Sequence, residues 1–426
     1  MASLAQMAGA RDVTKKILFT LGILAVFRLG SEVPIPGVNA AVVRTALERG
    51  EIFGFLNLFS GGAFFAFSIF ALGIMPYINA SIIFQVLTPV IPRLEDLSKE
   101  GQEGQKKINE WTRYATVILA LLQGFGLTFV ALSRISSNGA SAFTVPGIAE
   151  KVLVVLCLTA GATFLMWLGE LINERGVGNG ISLIIMAGII AGLPTAIVNI
   201  VKLVEVGALG VPIAVGILVL AIVIIGFVVY VQEGERRVPV QYPKRVVGRR
   251  VYQGQSSYIP LKVNAAGVIP VIFAISILTL PLTVAAYWNT PLMHGVANFL
   301  RFGSWANLVM EFLLVLAFTF YYAGIVFKPD DVADNLRKQG GFIPGIRPGR
   351  PTAEYLERVS VHLTTVGSVF LAAITVLPFL LVSVSHLNNL YFGGTSLLIV
   401  VGVGLDTIKQ IQAQVIMRQY QGFLRT

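Results

Sequence analysis

Residues 52–92 read IFGFLNLFSGGAFFAFSIFALGIMPYINASIIFQVLTPVIP, and these 41 residues carry no charged side chain. A membrane-spanning helix takes about 20 apolar residues. The run is therefore too long for one span and barely long enough for two. Its middle, Ser60-Gly61-Gly62, loosens a helix, because glycine costs about 1 kcal/mol against alanine in a helix interior. Pro76 lies in the more regular second half, Ser68 to Val90, where it is expected to kink the helix and free a carbonyl. The stretch reads as one full span from about Ser68, preceded by a short, loosely helical apolar segment. Broken backbone at membrane depth is tolerated only when packed in protein or lining a cavity. The stretch thus points to a cavity.

The rest of the chain is of the same kind. Of 426 residues, 55% are apolar and 13% are charged, about half the charge of a soluble protein. Mean hydropathy is +0.78. This is an integral membrane protein. The single cysteine, Cys157, excludes a disulfide framework, and His294, His362 and His386 lack metal-ligand spacing. No cofactor or metal is expected. Arg11, Lys15 and Lys16 precede a first apolar run that reads as a retained span rather than a cleaved leader.

Ten spans are expected, at about 17–36, 68–91, 114–133, 152–172, 181–200, 211–232, 264–287, 308–327, 361–382 and 395–416. With the N-terminus inside, 25 of the 32 lysines and arginines fall on the inner side and 6 on the outer side, and Arg28 lies within the first span. Basic residues favour the cytoplasmic side. Two full spans between residues 52 and 92 would reverse that asymmetry, so the segment before Ser68 re-enters from outside. Both termini are expected in the cytoplasm. The link at 201–210 divides the chain into five spans (1–200) and five spans (201–426), and an odd number per half makes related halves inverted repeats.

Two inner loops exceed what topology needs. Residues 233–263 hold Arg236, Arg237, Lys244, Arg245, Arg249 and Arg250, and residues 328–360 hold Arg337, Lys338, Arg347 and Arg350. They suit attraction to anionic lipid or docking of a phosphate- or carboxylate-bearing partner. The glycines and prolines of 340–349 suggest a shaped tip. The outer connections at 133–151 and 288–307 read as plain connectors.

Ion-coupled transporters place paired charges within their spans. Here Glu170, Glu311 and Asp406 stand near span ends with no intramembrane charge at helical spacing, and Arg28 can reach outward. No catalytic motif is present, and Gly176 to Gly180 reads as an inner turn. A small-solute secondary transporter is the alternative reading, since inverted halves also suit it.

Gly73-Ile74-Met75-Pro76-Tyr77-Ile78-Asn79-Ala80-Ser81-Ile82-Ile83 resembles the SecY family, the central subunit of the protein-conducting channel. The likeness continues at Trp167 to Glu170, at Glu174 to Ser182, at Gly248 to Tyr252 and at Pro260 to Asn264. It extends through Ala333 to Leu336, Pro344 to Gly349 and Tyr391 to Ile399. It covers nearly the whole chain in order and looks closest to the bacterial form.

The resemblance implies an all-α membrane protein of ten transmembrane helices, built as a clamshell of two inverted halves of five with a re-entrant plug. It implies a passive channel, not an enzyme, that carries unfolded secretory polypeptides across the bacterial plasma membrane and releases transmembrane segments into lipid. By matching motifs, the pore ring falls on Ile74, Ile78, Ile185, Ile272 and Ile399, where an apolar constriction gates by dewetting. The plug, about 53–67, includes Phe53, Leu56, Ser60, Gly61, Gly62, Phe64, Phe65 and Phe67. The lateral gate lies between spans two and three and spans seven and eight, with Gln85, Gln123 and Asn264 as its polar candidates; interhelical bonding without gating is their alternative. Lys244, Arg245, Arg249, Arg250 and Arg347 are expected to dock the ribosome or the motor ATPase SecA. The further implied partners are SecE-like and SecG-like small subunits, signal peptides, nascent polypeptides and membrane lipids.

Overall fold

The computed structural model describes residues 11–47, 57, 60–134, 136–137, 140–144, 147–207, 210–242, 245–247, 250–252, 256–287, 291–301, 304–385 and 394–423. The helices are α1 (Arg11–Ser31), α2 (Ala40–Leu47), α3 (Met75–Leu87), α4 (Pro92–Lys99), α5 (Gln102–Phe125), α6 (Ile148–Arg175) and α7 (Gly180–Glu205). They continue with α8 (Val211–Glu233), α9 (Ile269–Tyr287), α10 (Pro291–Phe299), α11 (Trp305–Val326), α12 (Pro329–Lys338), α13 (Arg350–Ser385) and α14 (Gly394–Phe423). A π-helical turn, Gly126–Ala131, prolongs α5.

Among the described residues seven helices have the length and apolarity to cross a membrane, and α3 with α4 makes an eighth if counted as one span bent by 95°. Helices α1 and α9 stand where the first and seventh spans are expected. The protein is a multi-span membrane protein. Its apolar faces are used twice over. Val215, Val219 and Ile222 of α8 are exposed on the surface, while a cluster from α1, α3, α6, α7, α8, α9, α11, α13 and α14 is buried inside.

The second span differs from expectation. Its helix begins at Met75, not Ser68, and residues 60–74 run as successive turns. Pro76 does not kink a helix. It sits in the first turn of α3, where the missing N–H has no intrahelical partner to lose. The 13 residues of α3 span about 20 Å, short of the ~30 Å hydrocarbon core. Buried turns complete the crossing: Ser68, Phe70, Ala71 and Ile74 are all 3% exposed or less.

Glycines let these elements approach. A Cβ at Gly161 of α6 would lie 1.8 Å from the Ile69 carbonyl oxygen, and one at Gly180 of α7 would lie 2.0 Å from that of Gly169. Around Gly180, the Gly176–Gly180 turn is tied by the Asn173 side chain, which accepts the Gly180 N–H at 2.7 Å, and by Thr20 of α1, whose hydroxyl accepts the Val177 N–H at 3.1 Å.

The connectors hold more order than expected. On the outer side β1 (Ser136–Ser137) pairs with β2 (Ala140–Ser141), and α10 occupies part of 288–307. On the inner side β3 (Glu235–Gln241) pairs antiparallel with β6 (Ser256–Lys262), Glu235 opposite Lys262 and Gln241 opposite Ser256. Between them β4 (Arg245–Val247) pairs with β5 (Arg250–Tyr252). The two long basic loops are one body. Gln241 and Phe342 exchange both backbone hydrogen bonds, at 2.9 and 3.0 Å, and Val238, Val240, Leu261, Leu336, Ile343 and Leu356 form a small separate core. The shaped tip after α12 is present as turns over 339–349, with Gly340, Gly345 and Gly349 at positive φ.

Candidate functional site

The five isoleucines of the expected ring come from four helices far apart in sequence. Ile74 caps α3 and Ile78 lies in its first turn; Ile185 lies on α7, Ile272 in the first turn of α9 and Ile399 on α14. All are 5% exposed or less and all belong to one apolar cluster. Ala63, inside the expected plug, belongs to the same cluster. The Asn79 side-chain oxygen is buried beside Ile78 with no hydrogen-bond partner in the protein.

Of the expected plug residues, Phe53 and Leu56 lie outside the described residues. The others build a self-capped turn. Ser60 Oγ accepts the Phe64 N–H at 3.0 Å, the Asn57 side chain accepts the Phe65 N–H at 2.9 Å, and the Asn57 carbonyl accepts the Gly62 N–H at 2.9 Å. Gly61 and Gly62 take φ of +67° and +92°, which L side chains rarely adopt. A Cβ at Gly61 would also lie 2.9 Å from Cα of Gly188 on α7. Phe64 and Phe67 are buried, in a second cluster with Leu127 and Leu158, and Phe65 packs against it half-buried. Phe67 carries φ +45°, a conformation costing about 1–3 kcal/mol, and its burial together with the bond from Ile35 N–H to its carbonyl (3.1 Å) holds it there.

Arg28 does more than reach outward. Its Nη1 donates to the Gly61 carbonyl at 2.7 Å and to Ser31 Oγ at 3.1 Å, while Nη2 pairs with Glu32 at 2.6 Å. Next to it Phe27 stacks on Phe70. The first span therefore grips the segment by a charge-assisted bond and by an aromatic face.

On the side of the expected gate, α9 packs against α3, against the π-helical turn after α5, and against α11. Gln85 of α3 donates from Nε2 to Ser81 Oγ at 2.8 Å, and its Oε1 accepts the hydroxyl of Tyr322 from α11. The Gln85 carbonyl accepts the hydroxyl of Tyr321 at 2.7 Å. Tyr322 is buried and meets Phe273 of α9 edge-on at 5.2 Å. Gln123 is half-buried on α5. Asn264 is buried, but its amide donates locally to the Gly267 carbonyl at 3.0 Å, in the turn before α9.

An ion pair crosses between spans three and four, where helical spacing showed none: Arg113 Nε lies 2.7 Å from Glu170. Among the docking candidates Arg347 is exposed at the tip of the second loop. Arg245 and Arg250 lie in β4 and β5, whereas Lys244 and Arg249 fall outside the described residues. Arg237, which the sequence reading grouped only with the basic loop, bonds Glu235 at 2.7 Å and stacks over Tyr258; the bond to Glu235 raises its pKa. Among the described residues no cluster of His, Cys, Asp or Glu could hold a metal.

The SecY family model matches residues 68–408. The chain is 48% identical to protein translocase subunit SecY of Streptomyces coelicolor over 97% of both chains, and 45% identical to that of Mycobacterium bovis over 97% of both. Among solved structures it is similar to a protein-conducting channel, with TM-score 0.62, 16% identity and coverage of 94% of this chain and 92% of that one. It is likewise similar to a channel in which the SecY plug domain was studied as the element stabilising the closed state (TM-score 0.65, 16% identity, 94% and 92% covered). A third is Sec61 in a canine ribosome–channel complex (0.59, 16%, 94% and 92%). The chain belongs to the SecY family and is a protein-conducting channel subunit of protein translocase, not an enzyme.

Proposed function

We propose that an unfolded polypeptide passes between α3, α7, α9 and α14 through a ring of Ile74, Ile78, Ile185, Ile272 and Ile399. The observation that carries this reading is that all five side chains are buried in the same central apolar cluster, which also holds Ala63. An apolar ring expels water when narrow, so it resists ions at rest and fits around an extended chain in transit. The segment before Ser68 is the plug over that ring, seated by Arg28 and by the approach of Gly61 to α7.

A signal segment enters between α3 and α5 on one side and α9 and α11 on the other, biases a two-state clamshell of residues 1–200 and 201–426, and displaces the plug. Gln85, Gln123 and Asn264 are the polar groups of that seam. Both termini face the cytoplasm of a bacterial cell, in agreement with the basic inner loops. The joined body of residues 235–262 and 329–349 docks a ribosome or a SecA motor through Lys244, Arg245, Arg249, Arg250 and Arg347, and the bound partner supplies the energy. The canine relative seen with a ribosome supports a docked partner of this kind. SecE-like and SecG-like subunits complete the channel within the lipid.

The near absence of cysteine makes a clean experiment. Cys157 is replaced by serine, one cysteine is placed at Ile74 or Ile185, and a secretory precursor bearing one cysteine is stalled during translocation in membrane vesicles. A disulfide that requires a signal sequence and a motor is the expected result. A folded, inserted protein that forms no crosslink at either position overturns the path through these five isoleucines.

A further inference from the structure

Residue 89 is a proline four positions after Gln85. In a helix the carbonyl of residue i accepts the N–H of residue i+4, and proline has none. The Gln85 carbonyl is thus left without its helical donor near the end of α3, at membrane depth where an unpaired carbonyl is costly. The hydroxyl that fills it comes from Tyr321, 236 residues away on α11, at 2.7 Å. The next residue, Tyr322, donates to the side chain of the same glutamine, whose amide group is held in turn by Ser81. One glutamine therefore takes two consecutive tyrosines, one on its backbone and one on its side chain.

Two features tie this contact to opening rather than to packing alone. Tyr322 packs edge-on against Phe273, and Phe273 follows Ile272 of the proposed ring. Ser81, the third partner, lies one turn after Ile78 of the same ring. A separation of α3 from α11 must break both tyrosine bonds and leave the Gln85 carbonyl empty until something else fills it. A signal helix that enters the seam brings only apolar side chains, whereas a water admitted with it could serve as the replacement donor.

Resting on the gate reading above, we propose that Tyr321 and Tyr322 are positioning residues that latch the lateral gate shut. The proline-freed carbonyl of Gln85 is the catch for Tyr321, and the strength of the latch sets how strong a signal must be to open the channel. Removing either hydroxyl lowers the cost of opening, so weak signals gain more than strong ones. The mirror device is Pro89 itself. Replacing it by alanine restores an N–H that competes for the same carbonyl.

The experiment uses the full translocase in membrane vesicles. Translocation of a precursor with a shortened apolar signal is measured relative to one with an intact signal, for the parent, Tyr321→Phe, Tyr322→Phe, Pro89→Ala and Tyr321→Phe with Pro89→Ala. Each tyrosine variant is expected to raise the ratio about fivefold, the effect of one net hydrogen bond. Tyr321→Phe should have at most half that effect once Pro89 is alanine. A change that merely damages folding lowers both precursors together and leaves the ratio unmoved. An unchanged ratio in both tyrosine variants overturns the latch. An equal Tyr321→Phe effect with and without Pro89 overturns the role of the freed carbonyl. In parallel, a photoreactive group in the signal of a stalled precursor is mapped on the parent channel. Crosslinks to α3, α9 or α11 support the gate. If they are absent, the gate reading fails and the latch fails with it; if they are present while the ratio stays flat, the latch alone is wrong.

Discussion

The proposed seat of the plug and the proposed seam of the gate are held closed by different kinds of contact. At the plug and the turns just after it, close backbone approach dominates: Gly61 lies against Gly188 and the Ile69 carbonyl against Gly161. At the proposed gate, two tyrosine hydroxyls of α11 meet the backbone carbonyl and the side chain of Gln85 on α3, with aromatic edges behind them. Close backbone contact is specific in shape and tolerates no added atoms. Hydrogen bonds between side chains can be exchanged for water or for another donor at small net cost. The proposed plug seat thus suits a seal with one closed arrangement, and the proposed gate suits a threshold that can be graded.

The comparison breaks first at Gly161. Leucine there has no room against the Ile69 carbonyl, and a loss of about 3 kcal/mol is expected; a thermal melt of the detergent-solubilised complex measures it, and a drop of only a degree or two would mean the α6 approach is loose. Gly61→Ala is the next largest. It adds strain of about 1–2 kcal/mol at φ +67° and a clash with Gly188. Fold and insertion should survive while vesicles become leaky to ions, and vesicles as tight as the parent would show that this seat does not seal.

Arg28→Leu removes the bond to the Gly61 carbonyl. Because the side chain is 46% exposed, about 1 kcal/mol is expected rather than the full worth of a charged hydrogen bond. A smaller leak than that of Gly61→Ala is the sign, read as ion flux in the absence of precursor. Glu32→Gln is the smallest. Its ion pair with Arg28 is exposed on both sides and should contribute less than ~1 kcal/mol, with an effect that fades as salt is raised. A leak equal to that of Arg28→Leu would show that Glu32, not Gly61, is the partner that matters.

Much of this could be read from residue order. Apolar runs and the placement of lysine and arginine are one-dimensional signals, and they served for the spans and for the uncharged segment before Ser68. Pro76 was misjudged because a helix that begins inside the membrane offers none of the polar caps that mark a start in water; Ile74 caps α3 with no side-chain bond. The proposed isoleucine ring is legible only through resemblance, since isoleucine is ordinary in any apolar helix. Tyr321 and Tyr322 gave no signal at all. Their partner lies more than 230 residues away, and the clue was the neighbouring proline, whose freed carbonyl demanded a donor. Arg28 was underrated for the same reason: snorkelling depends on depth, but a bond to Gly61 depends on how the plug folds back.

The joined inner loops have a mechanical side. The β3–β6 ladder starts two residues beyond α8 and ends seven residues before α9, with Glu235 opposite Lys262 and a further bond from Val263 N–H to the Gly234 carbonyl at 2.9 Å. Its seven paired positions stand about 20 Å long, and the Gln241–Phe342 bridge joins them to the turns between α12 and α13. The ladder therefore ties the end of α8 to the approach to α9, so the two helices share one short rigid connection on the inner side.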